Sequence, residues 1–206
     1  MESEMHFFSM PTALIPFSFY LFFLGIINLS RKTRMLTGRQ DLVALSLGVS
    51  GLLIVGPLQI LLPQAGIIRF GIHVWYPLVV LYIFGVLWLL ILSRPRIVLY
   101  NVDQADFARI LSHLLEREGW TVLRNENVVQ IHELGIQFEI LPVVSMKNIT
   151  LRSTESEQSN AGWRALHQSL ERELTSHHPF RNPFGWVYLS SGLMVATASW
   201  LFLPPA

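Results

Sequence analysis

The chain has no cysteine, which excludes disulfides, thiolate nucleophiles, iron–sulfur clusters and cysteine zinc sites. Charge is scarce as well. Asp, Glu, Lys and Arg make up 14% of the 206 residues, against 51% hydrophobic, and mean hydropathy is +0.44. An ordinary soluble domain carries about 25% charged residues. The charge that is present avoids four stretches, roughly Pro11–Leu29, Asp41–Leu62, Ile72–Leu92 and Phe184–Leu203. None of them has Lys or Arg inside it, and Asp41 lies at an edge. A charge at mid-bilayer costs about 2.5–3.5 kcal/mol on insertion scales, so this avoidance is what lipid-spanning helices require. The stretches hold about 19, 22, 21 and 20 residues; at 1.5 Å rise per residue each spans roughly 28–33 Å, the thickness of a hydrocarbon core. The tail Met1–His6 has neither the basic start nor the small-residue cleavage site of a secretory signal, so the first stretch is read as a retained helix.

Lys and Arg are distributed unevenly around these stretches. The first connection carries Arg31, Lys32, Arg34 and Arg39, and the second carries Arg69 alone. Arg94 and Arg96 follow the third stretch, and Arg181 precedes the fourth. The positive-inside rule makes the basic side cytoplasmic. The expectation is an integral membrane protein, of a bacterial inner membrane, with both termini outside and the polar block inside. Arg31, Lys32, Arg34 and Arg39 are expected to set this topology and to lie near lipid headgroups.

The four stretches differ in kind. The first is bulky and aromatic (Phe17, Phe19, Tyr20, Phe22, Phe23), and the third is aromatic at one end (Trp75, Tyr76) and Leu/Val-rich after it. The second pairs small residues four apart, Ala44 with Gly48 and Ser46 with Ser50, and the fourth pairs Gly192 with Ala196. That spacing lets another helix approach closely, which makes these six residues the candidate packing or interface positions. Pro57 predicts a kink in the second stretch. Across the stretches the notable polar groups are Asn28, Gln59 and His73, with Asn28 and His73 at segment ends; charged relays of the kind pumps carry are missing from the stretches.

The polar block, Arg94–Asn182, reads as β-α-β-β-β-(β)-α. Ile97–Tyr100 is a strand. Asp103 caps a helix whose stripe is Phe107, Ile110, Leu111, Leu114 and Leu115, stopped at Gly119. Trp120–Leu123 and Val128–Ile131 flank a turn at Asn125–Asn127, and Ile136, Phe138 and Ile140 alternate with Gln137 and Glu139 as a half-buried strand. Ile149 and Leu151 mark one more strand. Asn160 caps a last helix with the stripe Trp163, Leu166, Leu170 and Leu174. The expected fold is therefore four transmembrane helices with a small cytoplasmic α+β domain inserted between the third and fourth. Its divisions are 1–93, 94–182 and 183–206, with two helices on one face of a largely antiparallel sheet.

This block carries ten Lys/Arg and eleven Asp/Glu, a balance that disfavours nucleic acid as a partner. The run from Gly119-Trp120 to the acid-bearing hairpin superficially resembles the core of restriction-endonuclease-like nucleases. That chemistry needs a Lys just after the second acid, and Glu139 is followed by Ile140-Leu141. His177 and His178 are adjacent, which is not a metal-binding spacing, and fit a helix C-terminus better. No Gly-x-Ser-x-Gly elbow, Ser-x-x-Lys pair, phosphate-binding loop or dinucleotide fingerprint occurs. Trp120 and Trp163 are read as core residues ahead of interface anchors, and Ser153–Ser159 as a solvated loop.

These features predict no catalytic residues, no metal and no cofactor. The leading expectation is a non-catalytic accessory or scaffold subunit of a larger membrane complex. Its partners would be other membrane subunits or a second copy, and the lipid bilayer. The alternatives are a membrane-bound sensor or regulator whose cytoplasmic domain binds a ligand, and a transporter component.

Overall fold

The computed structural model of the chain describes residues 10–58, 69–125, 127–143, 147–155, 157–175 and 182–202. Its elements in chain order are α1 (Met10–Leu29), β1 (Arg34–Thr37), α2 (Gly38–Leu53), α3 (Trp75–Leu92), β2 (Arg96–Tyr100), α4 (Gln104–Glu118), β3 (Val122–Asn125), β4 (Val128–Ile131), β5 (Ile136–Val143), β6 (Asn148–Ser153), α5 (Asn160–Thr175) and α6 (Phe184–Leu201). They fall into two compact units. One comprises residues up to Ile26, Leu42–Leu92 and Trp186 onward; the other comprises Ile27–Asp41 and Ser93–Gly185.

Among the described residues three helical segments, most of whose residues lie in the first unit, are long and apolar enough to cross a membrane: Pro11–Leu29, Gly38–Pro57 and Trp75–Leu92. The sequence reading expects four. Helix α6 has 18 residues, but Trp186, Tyr188, Ser190, Ser191, Gly192, Thr197 and Ser199 dilute its apolar character, and it is not among the three. Pro57 sits in a wider turn, Ile54–Leu58, that follows α2 directly; the extra residue in such a turn absorbs the missing N–H.

Helix α1 is the centre of this unit. A β-carbon at Gly51 would lie 2.2 Å from the Ala13 carbonyl oxygen, and one at Gly48 would lie 2.5 Å from Tyr20 Cβ. A β-carbon at Gly192 of α6 would lie 3.3 Å from Leu21 Cβ and from the Ser18 carbonyl oxygen. Gly48, Gly51 and Gly192 thus lie against the chain's own α1, and their lack of a side chain lets the helices approach closely. Tyr82 of α3 donates to the Ser46 carbonyl.

The second unit is built on one six-stranded antiparallel sheet, in the order β1-β2-β6-β5-β4-β3. Helices α4 and α5 cover one face. Their stripes, Phe107, Leu111 and Leu114 with Trp163, Leu166, Leu170 and Leu174, join Leu99, Val129, Ile131, Ile136, Phe138, Ile149 and Leu151 in a single core. The opposite face carries polar pairs, among them Arg152 to Glu139 at 2.8 Å on directly opposed positions.

Helix α4 is set up as its residues dictate. Asp103 Oδ1 accepts from the Asp106 N–H at 2.8 Å, and Gly119 closes the helix at φ 69°, where a Cβ is unfavourable. The cap of α5 differs from expectation by one residue. Ser159 Oγ, not Asn160, accepts from the Gly162 N–H at 3.0 Å. Strand β3 starts two residues later than expected, at Val122. Beside it, Glu133 accepts from the Thr121 N–H at 2.9 Å and from the Thr121 hydroxyl, and these bonds hold its carboxyl below the usual carboxylate range.

The main departure is β1. The basic connection between the first two apolar stretches, read from sequence as a loop, pairs with β2 from Arg34↔Tyr100 to Thr37↔Ile97. The sheet unit therefore draws on residues outside 94–182. Thr37 and Gln40 then form a reciprocal capping box. The Gln40 N–H donates to Thr37 Oγ1 at 3.3 Å and the Thr37 N–H donates to Gln40 Oε1 at 3.0 Å. Helix α2 consequently begins at Gly38, three residues before the expected Asp41.

Candidate functional site

Within the sheet unit, residues from three distant parts of the sequence, together with Gly135, enclose an open groove of about 1000 Å³. Thr37, Gly38 and Arg39 come from the β1–α2 junction, Ser93–Ile97 from the start of β2, and Glu157–Asn160, Trp163, Arg164, His167 and Gln168 from the loop before α5 and its first turns. The antiparallel pairing of β1 with β2 brings the first two sets together. The third is fixed by Gln158, whose amide continues the sheet. It accepts from the Gln137 N–H at 3.2 Å, donates to the Gln137 carbonyl at 2.7 Å, and accepts from the Trp163 indole N–H at 3.0 Å. Trp163 is buried and tilted against Phe138, 6.0 Å between ring centres, so it is a core residue and anchors the first turns of α5.

The lining is strongly unbalanced in charge. Arg39, Arg94, Arg96 and Arg164 face a single carboxylate, Glu157. Arg96 is already engaged: its Nη2 lies 3.0 Å from Asp41 Oδ2 and donates to the Gly38 carbonyl at 3.3 Å. Tyr100 donates to the other Asp41 oxygen at 2.6 Å. Asp41, an edge charge in the sequence reading, is thus the acceptor that ties the first turn of α2 to β2. Arg39, Arg94 and Arg164 are exposed and form no ion pair with the described residues. Arg94 donates to the Thr154 carbonyl and Arg164 to the Asn160 carbonyl, both at 3.3 Å, which orients each guanidinium and leaves most of its donors unused. The N-terminal ends of α2 and α5 also line this groove, and their partial positive ends add to the same potential.

The residues singled out by sequence are dispersed. Arg39 lines the groove. Lys32 and Arg34 line a smaller hollow of about 260 Å³ with Glu171 and Thr175, and Arg34 also opens β1. Arg31 is exposed beside them. In the helical unit Gly48 and Gly192 contact α1, the Ser46 carbonyl accepts from Tyr82, and Ser50 turns back to its own Leu47 carbonyl at 2.8 Å. Ala44 and Ala196 are half-buried. Asn28 is fully buried in the sheet unit, where its side-chain oxygen accepts from Asn182 Nδ2 at 3.0 Å. Asn182 in turn caps α6, accepting from the Phe184 N–H at 3.1 Å. Gln59, His177 and His178 lie outside the described residues. Glu139 is paired with Arg152, not with a second acid. Among the described residues, no group of three or more His, Asp or Glu side chains is arranged to hold a metal.

Arg94 and Arg164 line the groove and are not among the candidate residues read from the sequence. Neither belongs to a motif, and the only signal was a set of arginines falling at element ends. Compared with known proteins, the chain matches no family model, no curated protein and no solved structure.

Proposed function

We propose that the protein is a membrane-anchored binding module, a sensor or regulator whose sheet domain takes a small ligand in the Arg39–Arg94–Arg164 groove. The observation that carries this reading is the groove itself. It has the volume of a small-molecule site, and three arginines in it have no carboxylate partner among the described residues. The reading includes four spans, with α6 as the fourth, and the sheet domain on the cytoplasmic side. Its support is the clustering of Arg31, Lys32, Arg34, Arg94 and Arg96 at the ends of α1, α2 and α3 that adjoin the sheet domain in sequence.

A thermal-shift screen of the full chain in detergent, across anionic, neutral and cationic metabolites, tests the module. Stabilisation by a ligand, removed by substitutions in the groove, is the expected result. A folded protein that no compound stabilises would sink the reading. Single cysteines introduced at Arg124 and at Trp200 test the topology: the first is expected to be labelled only from the cytoplasmic side, the second only from the outer side.

The accessory-subunit reading keeps one specific support. Helix α3 buries Leu78 alone, leaving Val80, Phe84, Leu87, Trp88 and Ile91 exposed. Native mass spectrometry after gentle extraction tests it, and recovery of the bare monomer under several mild conditions counts against it.

A further inference from the structure

We propose that the groove is a phosphate-binding site: its ligand carries a phosphomonoester or phosphodiester, held by Arg39, Arg94 and Arg164. This deepens the binding-module reading and rests on it. The sheet unit, Ile27–Asp41 with Ser93–Gly185, carries fourteen Lys/Arg against twelve Asp/Glu, a formal excess of two positive charges. Four of its arginines converge on one groove against Glu157 alone.

Such a concentration costs repulsion unless an anion relieves it. Two of the three available guanidiniums are oriented by a single bond each to a main-chain carbonyl, Arg94 to Thr154 and Arg164 to Asn160. Forked planar donors held this way suit the tetrahedral oxygens of phosphate, which accept several charge-assisted bonds at once, better than a lone carboxylate. Arg96 does not compete for the role, because Asp41 neutralises it. Its engagement fixes the wall from which Arg39 projects, since the Arg96 stem lies directly over Gly38.

Two sources could present this chemistry, a lipid headgroup and a soluble phosphate, and the experiment separates them. Full-length protein in detergent is titrated with inorganic phosphate and with pyrophosphate by calorimetry. In parallel, the same protein in nanodiscs of phosphatidylcholine alone, or with phosphatidylglycerol added, is analysed by thermal unfolding and by native mass spectrometry for retained lipid. One arm is expected to show saturable binding. Arg94→Gln and Arg164→Gln are each expected to weaken it by roughly tenfold or more, the value of a lost charge-assisted bond. Glu157→Gln is expected to tighten it, which a merely structural role for these residues would not produce.

Binding in the soluble arm alone identifies a free phosphate compound; binding in the nanodisc arm alone identifies a headgroup. Absence of binding in both arms, or binding unchanged in the arginine variants, overturns the proposal. If the metabolite screen then finds a neutral or cationic ligand that protects the groove, the binding module stands without the phosphate. If it finds none, the module falls as well.

Discussion

The two units are held together by opposite means. The sheet unit hides its apolar side chains in one core, with Leu99, Leu114, Ile131, Phe138, Leu151, Leu166 and Leu170 fully buried. In the helical unit the three spans bury 28%, 11% and 6% of their residues. Their mutual contacts rest on backbones brought close at Gly51, Gly48 and Gly192. The difference is the one that solvent would set for helices long and apolar enough to cross a membrane. Water drives apolar burial in the sheet unit. Lipid tails are as apolar as leucine, so helices gain little by burying it and associate through close van der Waals approach and a few polar bonds. A volume deletion should therefore injure the sheet unit, and a volume addition the helical one.

The largest expected effect is Phe138→Ala, which leaves a cavity between the sheet and Trp163. It should cost about 3–5 kcal/mol in urea unfolding of the full chain followed by tryptophan fluorescence. A loss under one kcal/mol would break the contrast. Gly51→Val is the mirror experiment: the new side chain meets the Ala13 carbonyl, backbone against backbone, and should cost about 1–3 kcal/mol or more, read as a lower midpoint of thermal inactivation in detergent.

Asp41→Ala lies between these in kind. It removes the acceptor shared by Arg96 and Tyr100 and should cost about 1–3 kcal/mol, visible as faster proteolysis near β1 and β2. Gly85→Ala sharpens the comparison from the other direction. Nothing lies within 4 Å of that position in α3, so the substitution should raise stability by about 0.5 kcal/mol through helix propensity alone. Destabilisation there would mean that α3 packs more closely than its exposure indicates.

The smallest effect concerns Glu133. Its carboxyl titrates below the usual range because Thr121 donates to the ionised form. The stabilisation is therefore present above the unfolded carboxyl value and disappears as pH falls through the folded one. Urea midpoints of wild type and Glu133→Gln should differ slightly at neutral pH and coincide in strong acid. A difference that grows in acid would contradict the assignment.

How much could be read from sequence depended on whether the signals were local. Helix α4 was legible end to end, because the Asp103 cap, the Phe107–Leu115 stripe and the Gly119 stop agree within one segment. Strand β5 was equally plain from its alternation. Strand β1 was not. Arg-Met-Leu-Thr is four residues long, begins with a cation and follows other cations, so it reads as a topological flank; only its pairing with a strand distant in sequence makes it β. The Thr37–Gln40 box was the one local clue, and it marks the helix after the strand, not the strand. The fourth expected span marks a different boundary. Serines, threonine and aromatics in α6 keep it out of the apolar spans found among the described residues. Small-residue spacing raised close packing of α2 and α6 only as an expectation; that Gly48, Gly51 and Gly192 lie against α1 is read from the fold alone. The groove was illegible for the same reason as β1. Arg39, Arg94 and Arg164 belong to three segments with no common motif, and nothing but the closed sheet makes them neighbours.

Strand β1 also imposes an order on synthesis. Thr37 pairs with Ile97, so β1 leaves the ribosome about sixty residues ahead of its only neighbour in the sheet. At about 5–20 residues per second it waits roughly 3–12 s, during which α2 and α3 are made. Met35 and Leu36 stand unpaired for that interval, and Arg34 with the flanking Arg31, Lys32 and Arg39, charges of the kind that keep open edges from joining one another, guard it. Until β2 arrives there is no sheet for Arg39 to border, so the groove is one of the last features of the protein to exist.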